Sequence, residues 1–326
     1  MILDTKISGV VDNRGDKMFE IFSLFAVFVA IFIFGMTVMR TGLYNLSGDK
    51  VRNWLIYFTN HPVKGLITGT IITAIIQSSS AVMVLVVGLI ATGYLTFKPS
   101  IGIILGTNIG TTFTTELITL DIYGAIVPLL IIGFLCFFIK NREVFSIGAL
   151  LFGLGCIFVA MNGFEQLARP LAIYPAIHSF FEATNDNNLL GIGLGTIITA
   201  IIQSSSATTG IIMGFMNEQL LTLNAGIAIV LGSNIGTCLT AFLASVGSTQ
   251  EAKFAAFAHI WLNLIGVIAF FPLIQWLGEI AMVLTSMPDV QLAHVSLIFN
   301  VLTSLIALPF AGLLATFILK VHGERV

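Results

Sequence analysis

The chain has 326 residues, of which 57% are hydrophobic and only 9% are charged, whereas a soluble domain carries roughly 25% charged residues. With a mean hydropathy of +1.02, it has too little polar surface to cover a water-soluble globule, which excludes a soluble enzyme, a disulfide scaffold and a disordered chain. The net charge of -2 and the lack of a basic run argue against nucleic acid as a partner. The composition therefore predicts a membrane protein embedded in the lipid bilayer.

The first predicted element is an apolar run from Phe19 to Met39, which follows an N-terminal segment, residues 1–17. The run is about 20 residues long, enough to cross a bilayer. Arg40 follows it, where a cleaved signal peptide would have small residues. We predict that this run is the first membrane span.

An internal duplication dominates the rest of the sequence. The stretch GTIITAIIQSSSA at residues 69–81 returns without a change at residues 195–207. At the same offset, Gly106–Thr111 (GTNIGT) returns as Gly232–Thr237 (GSNIGT). The repeat predicts two homologous halves and a terminal transmembrane helix with its tail. The four predicted segments are 1–17, 18–143, 144–280 and 281–326.

Hydropathy divides both halves alike, into a span, a polar segment, an interrupted apolar segment and two more spans. In chain order the predicted segments are 19–39, 45–64, 65–97, 100–118 and 122–139, then 145–162, 163–190, 191–217, 222–245 and 254–278, then a last span at 294–319. As one helix, some 30 residues would extend about 45 Å, beyond the thickness of one hydrocarbon core. Because the interrupted segments carry Gln-Ser-Ser-Ser at their middle, we predict re-entrant hairpins of two half-helices.

The distribution of basic residues predicts the orientation of these segments. With the hairpins left out, each half crosses three times, so the two halves have opposite orientations and the chain crosses seven times. Along this path, 4 basic residues fall on one side and 10 on the other. The first group is Lys6, Arg14, Lys17 and Arg169, and the second is Arg40, Lys50, Arg52, Lys64, Lys98, Lys140, Arg142, Lys253, Lys320 and Arg325. The positive-inside rule then places the N-terminus outside and the C-terminus in the cytoplasm of a multi-pass protein in the plasma membrane.

The predicted fold is thus all-α and polytopic, with two inverted-topology repeats whose hairpin tips meet near the bilayer midplane. This is the design of secondary transporters. The tips place two amides and six hydroxyls in apolar sequence, at Gln77, Ser78, Ser79, Ser80, Gln203, Ser204, Ser205 and Ser206. Polar groups at this depth cost several kcal/mol each without partners.

The chemistry of the tips favours an anion bound together with small hard cations. Broken helices expose N–H groups that favour an anion and carbonyl groups that favour a cation. Serine hydroxyls can donate to an oxyanion, and serine and glutamine oxygens can bind Na⁺. Neither motif contains Lys or Arg, so we expect helix ends and bound cations to offset the charge of the anion.

The paired QSSS and G-(T/S)-N-I-G-T motifs resemble those of the type II sodium-phosphate cotransporters and their bacterial relatives, from about residue 19 to residue 280. The resemblance implies Na⁺-driven uptake of inorganic phosphate. By matching motif positions, the resemblance implies that Gln77–Ser80 and Gln203–Ser206 form the core of the binding site. Neighbouring candidates are Asn108, Thr111, Thr112, Asn234 and Thr237. Na⁺ is expected at Gln77, Ser79, Gln203, Ser205, Thr111 and Thr237.

The acidic residue that the family associates with net charge movement has no clear counterpart in the first half, where the sequence reads AIVPLLI from Ala125 to Ile131. We therefore expect electroneutral coupling, unless Glu116 or Glu165 substitutes for that residue.

Several alternatives stay open. The serine turns and NIGT glycines could serve helix packing alone. A transporter of another oxyanion or of a carboxylate, or an anion channel, would also use polar tips. An enzyme is not expected, because the chain has no nucleophile-base pair, no GxxxxGK motif and no metal-ligand cluster. A homodimer is a further possible assembly.

Overall fold

The computed structural model describes residues 2–58 and 61–323, with side chains from 17–47, 51–58 and 61–323. Within these ranges the regular structure is helical, as predicted, and three short 3-10 turns interrupt it. The side chains of Lys6, Arg14, Lys50 and Arg325, used above for orientation, lie outside the described ones, as do all side chains of residues 1–16. The helices are α1 Ile2–Tyr57, α2 Pro62–Ile76, α3 Ser79–Ala91, α4 Phe97–Ile118, α5 Ile126–Cys136, α6 Arg142–Ala172, α7 Pro175–Asp186, α8 Asn188–Ile202, α9 Ser205–Asn217, α10 Leu223–Ser245, α11 Gln250–Phe270, α12 Ile274–Leu284, α13 Pro288–Ala307 and α14 Ala311–His322.

The chain is a multi-pass membrane protein. By length and composition, five helical segments of the described ranges can cross a bilayer: Lys17–Ser47, Arg142–Ala172, Leu223–Ser245, Gln250–Leu284 and Pro288–His322. A sixth exists if Phe97–Ile118 and Tyr123–Cys136, which meet at 81°, form one broken span. The prediction of seven crossings counted these two arms separately. At 1.5 Å per residue the second arm reaches only about 21 Å, too short for a core of about 30 Å.

The first helix is longer than hydropathy predicted, because it continues through the polar segment to Tyr57. The predicted polar segment 45–64 is therefore not separate from the first span but continues the same helix as far as Tyr57. Val51 and Leu55 are buried in an apolar cluster shared with α3 and α4. Arg52 is exposed, with its guanidinium 5.3 Å from the centre of the Tyr94 ring. Packing of one apolar face explains why the helix continues.

Both interrupted segments break at the QSSS motif. Gln77 and Gln203 have φ of 59° and 56°, in the left-handed region that ends a helix. Ser78 and Ser204 are then extended N-cap residues, and their hydroxyls accept hydrogen bonds from Ala81 N and Ala207 N at 3.2 and 3.3 Å. The half-helices have 15 and 13 residues in each half, too few to span alone. Entry of both arms from one membrane face stays a prediction.

Each first hairpin arm packs closely on the helix that carries the NIGT motif. The α2–α4 and α8–α10 contacts use glycines where a Cβ would lie 1.9–2.5 Å from a facing carbonyl oxygen. The pairs are Gly69 with Ile103 O, Gly106 with Leu66 O, Gly195 with Ile229 O and Gly232 with Ile192 O. Both members of each pair repeat at the same sequence offset. Gly106 and Gly232 of the NIGT motifs thus serve close helix packing, and we call the two contacts the glycine seams.

Candidate substrate and ion site

The two QSSS tips border one small cavity between the hairpins. Its volume of about 10 Å³ is roughly that needed by one water molecule. The lining residues are Arg40, Gln77, Ser78, Ser79, Ser80, Thr111, Gln203, Ser204, Ser205 and Ser206. All eight predicted tip residues therefore lie together, with Thr111 beside them. We call this space the tip cavity.

Two helices begin at the tip cavity. α3 starts at Ser79 and α9 starts at Ser205. The first amides of a helix have no partner within that helix. The Ser78 and Ser204 hydroxyls accept from the amides of Ala81 and Ala207. The amides of the first two residues of each helix, 79–80 and 205–206, are thus left for a ligand. The ends of α3 and α9 thus bring N–H donors and positive helix dipoles to the cavity.

The Gln77 side chain presents an unused acceptor. Its Nε2 donates to Ala74 O at 2.6 Å. The residue is only 9% exposed. Its Oε1 is buried and has no hydrogen-bond partner in the part of the chain that the structure describes. A buried carbonyl oxygen without a donor is costly. A cation or a proton donor in the cavity would remove that cost.

Arg40 also lines the cavity, although it lies outside both repeated motifs and was not among the predicted site residues. It lies within α1 and is half-buried, and its Nε donates to the backbone oxygen of Gln77 at 2.7 Å. We expected helix ends and bound cations to offset the charge of an anion, and the cavity lining adds Arg40, which lies outside both motifs. Arg40 lies within α1 and not in a loop, and without it the basic residues divide 4 against 9, so the orientation stays a prediction. A charge following the first apolar run was the signal that could have found Arg40.

The tips differ in exposure although their sequences are identical. Gln77, Ser78 and Ser79 are buried, whereas Gln203 is exposed and Ser205 is half-buried. The first tip is therefore the more enclosed of the two.

Four predicted neighbours lie outside the cavity lining. Thr112, Asn234 and Thr237 bond to their own helices, at Ile109 O, Val230 O and Ser233 O. Asn108 Nδ2 donates to Asn263 Oδ1 at 3.1 Å and links α4 to α11. The motifs placed these residues on α4 and α10, which pack against the hairpins. Their side chains, however, bond to their own helix or, for Asn108, to α11 and do not line the cavity.

The two glutamates considered for charge movement also lie elsewhere. Glu165 faces a cavity of about 410 Å³ that Asp121, Glu218 and Asp289 also line. Its carboxylate accepts hydrogen bonds from Tyr123 Oη at 2.9 Å and from Asn217 Nδ2 at 2.7 Å. Glu116 Oε1 lies 3.0 Å from His294 Nδ1. Neither glutamate lines the tip cavity.

Comparison with known proteins gives one family match. The family described as Na+/Pi-cotransporter matches residues 31–166 and 171–288. Each matched range contains one QSSS motif and one NIGT motif. No solved structure matches.

Three individual relatives show the extent of the similarity. The chain is 40% identical over 290 residues to "Uncharacterized protein YqeW" of Bacillus subtilis, covering 89% of this chain and 94% of that protein. It is 26% identical over 292 residues to "Putative inorganic phosphate export protein YjbB" of Escherichia coli, covering 89% of this chain. It spans only 53% of YjbB, about half its length. Human "Sodium-dependent phosphate transport protein 2B" is 31% identical over 152 residues, 44% of this chain and 19% of that protein.

Proposed function

The chain belongs to the Na+/Pi-cotransporter family, a family of transporters and not of enzymes, and on this premise we propose that it is a Na⁺-driven symporter importing inorganic phosphate. The observation that carries the proposal is the convergence of both QSSS tips on one cavity. The cavity combines two helix N-termini, hydroxyl groups and an unused carbonyl oxygen, which together suit an oxyanion and Na⁺.

We assign the two ligands to different groups of the cavity. Phosphate oxygens accept hydrogen bonds from the first amides of α3 and α9 and from the serine hydroxyls. Na⁺ takes oxygen ligands from the Gln77 and Gln203 side chains, with Ser79, Ser205 and Thr111 as the neighbouring oxygens. Thr237, the repeat partner of Thr111, lies outside the lining and is not part of this assignment.

The size of the tip cavity implies movement during transport. A space with room for about one water molecule is too small for a tetrahedral oxyanion. The tips must therefore separate to admit phosphate and close again to prevent leakage. In the proposed inverted arrangement, one hairpin opens to each face of the membrane, as alternating access requires.

The direction of transport follows from the coupling. A tenfold inward Na⁺ gradient supplies about 1.4 kcal/mol per ion, and each net positive charge moved inward adds about 2.3 kcal/mol per 100 mV. The concentration term drives phosphate inward if Na⁺ moves with it, and the voltage term would add to it only if net positive charge moved inward as well. Export is the second candidate, favoured by the name of the relative YjbB, a putative inorganic phosphate export protein. It would need a different energy source or a reversed gradient.

Phosphate uptake into proteoliposomes tests the proposal. Labelled phosphate should accumulate inside against its gradient when Na⁺ is higher outside, and accumulation should vanish when choline replaces Na⁺. Phosphate uptake that stops at equilibrium and does not depend on Na⁺ would identify a channel. Efflux of preloaded phosphate against an inward Na⁺ gradient would favour export. Competition by sulfate, arsenate and carboxylates measures the selectivity, and protein-free vesicles provide the control.

Current measurement tests the proposed electroneutral coupling. Divalent phosphate with two Na⁺ moves no net charge, whereas a third Na⁺ would carry charge inward. Since neither Glu116 nor Glu165 lines the tip cavity, we propose the electroneutral ratio. A steady inward positive current that requires both phosphate and Na⁺, at a fixed voltage, would contradict it.

The proposed orientation has a separate test, since basic residues place the N-terminus outside. Single cysteines at Lys98 and Arg142 should react with an impermeant reagent only from the cytoplasmic side, and cysteines at Asn187 and Glu218 only from outside. Labelling on the opposite faces would overturn the orientation.

A further inference from the structure

We infer that Arg40 binds the transported oxyanion directly and gives the tip cavity a preference for dianions; this inference rests on the proposed function. Arg40 lies on α1, outside both repeated motifs. It is the charged residue in the lining of the tip cavity, where the other lining residues are Gln, Ser and Thr.

The geometry of Arg40 leaves most of its donors available. A guanidinium carries five N–H donors. The Nε group is held by the Gln77 backbone oxygen at 2.7 Å. Within the described part of the chain, this is its one hydrogen bond to protein. The Nη groups therefore remain free for a ligand, and their planar fork fits two oxygens of one oxyanion.

The electrostatics also require an anion. Arg40 is half-buried in a helix that crosses the membrane, where an uncompensated charge is expensive. No carboxylate among the described side chains forms an ion pair with it. Arg169, by contrast, pairs with Glu218. Arg40 together with the N-termini of α3 and α9 makes the cavity positive, and a dianion balances that charge better than a monoanion does.

The second half of the chain offers no equivalent cation. At the 126-residue offset of the repeat, Arg40 corresponds to Gln166, and the cavity lining from the second half consists of Gln203, Ser204, Ser205 and Ser206. The two tips thus share one arginine, which is held against the first tip. Duplication alone would have produced a symmetric cavity, so the charge is a specific addition to the first half.

Phosphate kinetics in proteoliposomes at saturating Na⁺ test the assignment. In R40Q, the apparent KM for phosphate should rise about 10-fold to 100-fold, the usual effect of losing a hydrogen bond to a charged group. R40K keeps the charge but cannot hold Gln77 and the anion together, so its KM should rise by less. R52Q on the same helix, an exposed arginine that stacks on Tyr94, should leave KM unchanged.

A second readout separates ligand binding from a structural role. The KM for total phosphate should be lower for the wild type at a pH where the dianion dominates than at a pH where the monoanion dominates. R40Q should lose this preference while its activation by Na⁺ is unchanged. A transporting R40Q protein with the wild-type KM and pH preference would overturn the inference. If R40Q does not fold, an unchanged KM in R40K would overturn it.

Direct binding distinguishes this inference from the proposed function. Phosphate and sulfate should raise the Tm of the purified wild type, and the rise should be lost in R40Q and retained in R52Q. If the wild type shows no Na⁺-dependent uptake but keeps this pattern, the proposed function fails and the anion site stands. If neither anion changes the wild-type Tm and phosphate uptake is unaffected by R40K, the anion site is wrong.

Discussion

The two hairpin tips have the same sequence and the same backbone conformation but different surroundings. Gln77 and Gln203 differ by only 3° in φ, and both following serines cap the next half-helix. Gln77 is nonetheless buried, and Gln203 is exposed. Local sequence therefore sets where and how the helix breaks, whereas tertiary packing sets how open each tip is.

The packing around each tip explains the difference. The first tip is held by the Arg40 hydrogen bond to the Gln77 backbone. The second hairpin borders an apolar cavity of about 430 Å³ that lies between α1, α7, α8 and α9. Beside its tip, Ile201 is 76% exposed. The second hairpin is thus the less enclosed of the two. In an alternating-access cycle, we expect the two tips to exchange these environments.

The largest expected effect comes from the glycine seams that support both tips. In Gly195→Ala, the new Cβ would lie 1.9 Å from Ile229 O, and in Gly69→Ala it would lie 2.5 Å from Ile103 O. We expect each variant to lose about 3 kcal/mol or more of stability, seen as low yield and a lowered Tm. Gly193→Ala is the control, since its Cβ would meet nothing within 4 Å. A normal Tm for only one of the seam variants would show that the halves are not packed alike.

The next effect is on transport. Gln77→Ala and Gln203→Ala each remove an amide from the tip cavity, so each should lower the initial rate of phosphate uptake by at least about tenfold. Gln77→Ala should be the more severe, because the Gln77 side chain is buried and its Oε1 has no other hydrogen-bond partner among the described residues, whereas Gln203 is exposed. Glycine at either position is the matched control for backbone strain, since glycine adopts positive φ freely. If the glycine variants transport normally, the amides are not ligands.

Cysteine labelling measures the difference in access directly. In a Cys136→Ser background, a cysteine at position 205 should react with a small polar thiol reagent about tenfold faster than one at position 79, because exposure limits thiol reactivity. Ser205 is half-buried, and Ser79 is buried. Na⁺ with phosphate should reduce both rates. Equal rates without ligand would remove the asymmetry between the tips.

The smallest effect concerns one pair of side chains that differs between the halves. Thr199 Oγ1 donates to Thr208 Oγ1 at 2.8 Å. Thr73 Oγ1 is buried and has no hydrogen-bond partner among the described residues, because Val82 stands at the position of Thr208 in the repeat. Val82→Thr should therefore stabilise the protein by about 1 kcal/mol, and Thr208→Val should destabilise it by a similar amount. Tm shifts in detergent would measure both. A lowered Tm for Val82→Thr would contradict the proposed pairing.

The sequence was sufficient for the features that depend on local or repeated patterns. A helix too long for the bilayer, with QSSS at its middle, predicted both breaks, and the repeated glycines allowed the close helix contacts. It was insufficient for features that depend on the angle between successive helices or on contacts between residues far apart in the chain. Hydropathy could not show that α4 and α5 meet at 81°. The contact between Arg40 and Gln77, 37 residues apart, depends on how α1 packs. Identical tips could not predict unequal exposure.

The glycine seams also determine which parts of the hairpins can move. Carbonyl oxygens of α4 and α10 fill the space that a side chain would need on α2 and α8, so neither first arm can slide along its partner without a backbone collision. We therefore expect each first arm and its partner helix to move together as one rigid unit. The second arms, α3 and α9, contact both α4 and α10. A rotation of one rigid unit relative to the other would displace these arms and widen the gap between the tips. A small rigid-body movement would then open the tip cavity.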